Sequence, residues 1–180
     1  MQVERLSQRT KDEKTEMRRR SQKMRNKQKG FSLIELLVVV AIILIIAAIA
    51  IPNLMGARMS ANESSAVGSL RTLNTACITY STTYGTGFPA ALANLAPAPV
   101  ATAAAADLID PTLTGGTKSG YNFVYVPAAP DADGLIDTYA TNANPTAPGQ
   151  SGQRYFYTDQ TNIITYAFGA AAGPADVPIS

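Results

Sequence analysis

The sequence predicts an α+β protein: one long N-terminal helix, membrane-spanning in its first half, packed on a small antiparallel sheet. Three observations predict it. Residues 31–51 form an apolar run interrupted by a single charge, Glu35. Ala66, Leu70, Leu73, Cys77, Tyr80 and Tyr84 then recur at alternating steps of four and three, which draws one apolar stripe on a helix. Beyond residue 120, short stretches rich in aromatic and β-branched residues read as three or four strands.

The apolar run justifies the first half of the helix. Its length, at ~1.5 Å per residue, is ~31 Å, which matches a hydrocarbon core of ~30 Å. Residues 36–46 are apolar on every face, so this stretch must lie in lipid or in a protein core. Its many β-branched residues are poor helix formers in water, but in lipid the backbone has no other local partner. Pro52 follows directly. An interior proline removes a hydrogen bond and bends a helix, and Gly56 and Gly68 weaken it further. Pro52 therefore marks either a kink or the end of the span. The chain divides into a leader at 1–30, a span at 31–52, an amphipathic continuation at 53–84 and a head at 85–180.

Charge separates these parts. Residues 1–30 carry eleven Lys/Arg against four Asp/Glu, a net +7, and residues 31–180 carry four against nine, a net −5. A basic block ahead of an apolar span is the positive-inside pattern and places the leader in the cytoplasm. Two rivals exist. A nucleic-acid-binding leader is weakened because the apolar run follows without a linker. A secretory signal would use residues 33–46 as its apolar region, with Ala48-Ile49-Ala50 as a small-x-small cleavage site. The length of the run and the early glutamate oppose it.

Several chemistries are excluded. The chain has no histidine, so Ser-His-Asp, Cys-His and His-metal sites cannot form. Lys118 is the lone lysine after residue 30 and lies among Gly, Thr and Ser. The reading is of a protein that is not an enzyme. A net −5 disfavours direct DNA binding by residues 31–180, since phosphate contacts need Lys or Arg. Cys77 is the only cysteine, which leaves no intramolecular disulfide. Its place on the apolar stripe predicts a buried, inert thiol.

The most informative residues are Lys29-Gly30-Phe31-Ser32-Leu33-Ile34-Glu35. A small residue, an aromatic, a polar step, an acid and an apolar run occur in order. This junction resembles the processing site of type IV prepilins and of the pseudopilins of type II secretion. The resemblance implies a pilin fold, cleavage after Gly30 by a membrane peptidase, and N-methylation of the new terminus Phe31. It also implies that Glu35 guides assembly by pairing with the Phe31 amine of a neighbouring subunit. The partners so implied are further copies in a homo-oligomeric filament, the prepilin peptidase/methyltransferase and the inner-membrane pilus or secretion machinery. The subunit would wait in the bacterial inner membrane and end in an extracellular pilus, or, as the alternative, in a periplasmic pseudopilus. Physical chemistry is compatible with this. Glycine lets a protease approach the backbone, and basic residues hold the bond at the headgroup surface. A carboxylate near the end of a span is less costly than the ~2.5–3.5 kcal/mol of a central one. Thirty residues is long for such a leader, and Met24 or Met17 would each serve as a start and leave the product unchanged. Many type IV pilins close a C-terminal loop with a disulfide. Without one, the end of this chain must be held by sheet pairing, a bound ion or subunit packing.

The head begins where glycines 85 and 87 and Pro89 break the helix. Residues 90–95 read as a short helix and 96–106 as an Ala/Pro-rich loop. Strand signals fall at 121–126, 138–141, 154–158 and 163–167, with 159–162 as a turn and with 142–153 and 169–180 as loops. Asn62, Glu63, Ser64 and Ser65 lie off the stripe and read as a solvated or subunit-facing side. Asp131, Asp133 and Asp137 have the oxygen density of a calcium loop but lack the EF-hand spacing. The resemblance to pseudopilins implies calcium in this region, and an ordinary Asp/Gly turn is the competing reading. No other cofactor is expected. Tyr155-Phe156-Tyr157 reads as strand packing.

Overall fold

The computed structural model describes residues 9, 11, 13–19 and 30–179. It divides into two compact units, Met1–Ile49 and Ala50–Ser180. Helix α1 spans Leu33–Tyr84 and contributes to both.

In the first unit, Leu33 to Ile49 are helical and their apolar side chains stand exposed. The most apolar 18-residue window has a mean hydropathy of 3.3, and none of it is buried. A core helix of a soluble protein would be covered by its own chain. This helix is long and apolar enough to cross a membrane and leaves its surface for lipid or other molecules to cover. Pro52 sits inside α1, and helical structure continues on both sides of it. The missing N–H leaves one carbonyl a turn earlier without its usual donor.

In the second unit, α1 lays its stripe on the sheet. Ala66, Leu70, Leu73 and Cys77 are fully buried, Tyr80 nearly so, and Tyr84 packs at the margin. The sheet is a six-stranded antiparallel meander in sequence order. Four long strands, β2 (Tyr121–Pro127), β3 (Tyr139–Pro145), β4 (Arg154–Asp159) and β5 (Ile164–Phe168), fall where strand signals lie. Two-residue edges, β1 (Thr117–Lys118) and β6 (Val177–Pro178), widen it. Strand β3 runs further than expected and takes residues 142–145 from the anticipated loop. Side chains alternate between faces, so Tyr121, Phe123, Tyr139, Ala143, Phe156 and Ile164 meet the helix. The connection contributes Leu95, Ile109 and Leu113 to the same core. There, the expected short helix is a 3-10 helix over Leu92–Leu95. A one-turn helix α2 (Pro111–Thr114) is capped by Asp110, whose carboxylate accepts from the Leu113 amide at 2.9 Å.

The C-terminal segment is held without a disulfide. Strand β6 pairs with β5, and the Ile179 amide donates to the Ile164 carbonyl at 2.8 Å. Before it, residues 169–176 cross the outer face of the sheet. Asn142 Nδ2 donates to the Ala172 carbonyl at 2.8 Å, and Thr165 Oγ1 donates to the Gly173 carbonyl at 2.7 Å. Ala172 and Thr165 are both buried. Of the three ways to hold this end, sheet pairing is the one built into the fold.

Candidate functional site

The N-terminal site is the start of α1, just after three residues that are not helical. Gly30, Phe31 and Ser32 precede α1, and the first helical bond runs from the Leu36 amide to the Ser32 carbonyl at 3.2 Å. Phe31 is 82% exposed, so no intramolecular packing explains an aromatic there. A Cβ added to Gly30 would meet nothing within 4 Å. The fold therefore makes no demand for glycine at residue 30, and any demand comes from another molecule. Glu35 is exposed in the first turn of α1, where unsatisfied backbone N–H groups favour a negative charge. Leu33, Leu36, Leu37, Val40, Ala41 and Leu44 line a shallow apolar groove below it.

A second constellation sits where α1 meets the sheet, and the sequence reading missed it. Asn62, Glu63 and Ser65 do not form a solvated side. Glu63 is 8% exposed, Asn62 Nδ2 donates to the Ser151 carbonyl at 2.9 Å, and Ser65 Oγ donates to Ser119 Oγ at 2.9 Å. The missed signal was spacing. Glu63 lies three residues before Ala66 and so continues the buried stripe by one more step. Its carboxylate accepts from the Gln153 amide at 2.8 Å and from Arg154 Nε at 2.8 Å. Burial by itself would raise the Glu63 pKa. The Gln153 amide and the Arg154 guanidinium and amide outweigh it and hold the carboxyl below its ordinary range.

Further along α1, Asn74 donates to Thr158 Oγ1 at 2.8 Å and accepts from the Tyr139 hydroxyl at 3.0 Å. Cys77 lies one turn on, where burial pushes its thiol up to about 12. A thiol so protonated is a poor nucleophile.

The three candidate calcium ligands are not brought together. Asp131 turns its Oδ1 onto the amides of Asp133 and Leu135, at 2.9 and 2.8 Å. Among the described residues no group of three or more acidic, His or Cys side chains is placed to hold a metal.

Comparison with known proteins fits this geometry. Residues 25–51 match the family described as a prokaryotic N-terminal methylation motif. The type IV wide pilus major component PilA4 of Thermus thermophilus is 63% identical over 41 residues, 23% of this chain and 30% of that protein. The type IV major fimbrial protein FimA of Dichelobacter nodosus is 33% identical over 131 residues, 67% of this chain and 76% of its own length. The chain belongs to the type IV pilin family. The motif covers the N-terminal junction and the apolar helix, and the longer alignment carries the family likeness into the head of this pilin. No solved structure matches it.

Proposed function

We propose that this type IV pilin is a structural subunit of a surface pilus, cleaved after Gly30, N-methylated at Phe31 and assembled through Glu35 into a helical filament. One observation carries the proposal. A helix whose most apolar stretch has no residue buried by its own chain starts within three residues of an exposed Gly-Phe junction and holds one acid in its first turn. Cleavage would free an amine at Phe31, four residues before Glu35 and just ahead of the helix. Between neighbouring copies that pair would fix register more than add stability. The peptidase, the methyltransferase and the inner-membrane assembly machinery are the partners this route requires.

Shearing cells, collecting extracellular filaments and identifying the N-terminal peptide by mass spectrometry tests the reading. N-methylated Phe31 in the sheared fraction is the expected result. Methyl-Phe31 confined to the membrane fraction would instead favour a pseudopilus of a secretion system. Absence of any peptide beginning at Phe31 would overturn processing at Gly30.

A further inference from the structure

Residues 31–180 hold four cations. Two are neutralised within the head, Lys118 by Asp110 at 2.7 Å and Arg154 by Glu63 at 2.8 Å. Arg71 is different. It is exposed on α1 and makes no ion pair among the described residues. It lines, with Thr72, Thr75, Thr79 and Leu108, an open cleft of about 360 Å³. The threonine hydroxyls donate to carbonyls one turn back, at 2.9–3.0 Å. What they offer a visitor is therefore lone pairs, suited to backbone N–H groups, beside one uncompensated positive charge.

The complementary surface is on the same chain. Asp131, Asp133 and Asp137 are exposed on the turn between β2 and β3, and none pairs with a cation among the described residues. Asp131 has one oxygen committed to closing the turn. Asp133 and Asp137 face solvent, and a Cβ added to Gly134 beside them would meet nothing within 4 Å. The turn therefore projects.

Turn and cleft of one copy cannot meet. Ile136 bridges to Gly87, and its carbonyl accepts from the Phe88 amide at 2.7 Å, which anchors the turn just past the end of α1 at Tyr84. Arg71 lies thirteen residues before Tyr84, ~20 Å back along the helix.

We propose that the Arg71 cleft receives the Asp131–Asp137 turn of a second copy of this chain. The proposal rests on the reading of the chain as a filament subunit. It adds which surfaces of the heads meet and the offset between copies, about 20 Å along α1. Two different patches in contact make a heterologous interface, which propagates as an open array and does not close as a dimer. Opposite charges at such an interface set orientation and register.

Charge reversal in the full-length chain tests it, with sheared filament yield as readout and membrane-fraction pilin as the folding control. Arg71→Glu and Asp133→Arg are each expected to lower filament yield about tenfold, through like charges brought together. The double variant is expected to recover to within about twofold of the parent. Arg71→Glu assembling as well as the parent, or a double variant no better than the singles, would overturn the contact and leave the pilus reading intact. Absence of filaments from the parent itself would instead strike the pilus reading. If a reversal variant is lost from the membrane, the pair Thr72→Cys and Ala132→Cys in otherwise unaltered filaments decides. Oxidation is then expected to give a ladder of linked subunits, and no ladder would overturn the contact.

Discussion

The Glu63 carboxylate and the Arg154 guanidinium meet at 2.8 Å across 91 residues of sequence, with the Gln153 amide on the same carboxylate. The pair joins the first buried turn of α1 to the start of β4. The acid is nearly buried, while the guanidinium is about one-third exposed and lies over the rings of Phe156 and Tyr166. Removing the acid leaves a partly desolvated cation and two amides without an acceptor.

Glu63→Ala is therefore expected to lower stability by about 2–3 kcal/mol, less than a fully buried pair because Arg154 can reach water. Acid should act in the same direction. The folded-state pKa of Glu63 is depressed, so its contribution is complete above the ordinary carboxylate pKa and is lost as pH falls through the lower, folded value. Thermal melts of detergent-solubilised pilin across that window would show a steeper acid loss in the parent than in Glu63→Gln.

Asn74, Thr158 and Thr141 make opposite predictions from neighbouring hydroxyls. Thr158 and Thr141 are register partners on β4 and β3, and both are fully buried. Asn74 satisfies Thr158, whereas Thr141 Oγ1 has no partner among the described residues. Asn74→Ala, which also strands the Tyr139 hydroxyl, is expected to cost about 2–3 kcal/mol. Thr141→Val, of the same shape, is expected to be neutral or stabilising by up to about 1 kcal/mol. Equal losses from both in the same melts would contradict this account.

Gly87 and Gly134 both have positive φ, +75° and +78°, but only Gly87 is crowded, since an added Cβ would lie 2.5 Å from the Ile136 carbonyl oxygen. Gly134→Ala is expected to cost about 1 kcal/mol from backbone strain alone. Gly87→Ala must also move the β2–β3 turn and should cost at least about twice as much. The difference between the two melting temperatures checks it.

Glu35→Val is expected to leave the cut after Gly30 intact and to abolish filaments. Blotting for the size change on cleavage, together with sheared filament yield, separates the two steps. Normal filaments from this variant would remove the assembly role of Glu35.

Asp131 is expected to act through its turn. Asp131→Ala, which loses two hydrogen bonds to backbone amides, should lower stability by about 1 kcal/mol. An equal loss in calcium and in chelator fits the turn. A melting temperature that rises with calcium in the parent but not in the variant would establish the metal site.

What was legible in the sequence follows from periodicity. The stripe from Ala66 to Tyr84 repeats over five intervals, and each long strand offers several alternating residues, so faces could be read locally. Strands β1 and β6 hold two residues each, too few to carry a period. Glu63 escaped notice because a lone acid at the start of an apolar stripe looks like its end. Its partners lie far along the chain in a loop-to-strand corner, where no local pattern speaks of them. The acidic turn showed the reverse. Oxygen density was legible, but whether its carboxylates converge or spread depends on turn geometry.

The sequence by itself determined the N-terminal junction, the membrane-length helix and the helix-on-sheet class, because hydrophobic period and length are properties of consecutive residues. Only the tertiary structure decided that Glu63 is buried against Arg154, that the C-terminal segment is strapped across the sheet by Asn142 and Thr165, and that Arg71 is left without a counter-charge among the described residues. Those outcomes depend on which distant groups the fold brings within ~3 Å, the range at which hydrogen bonds form and opposite charges attract most strongly.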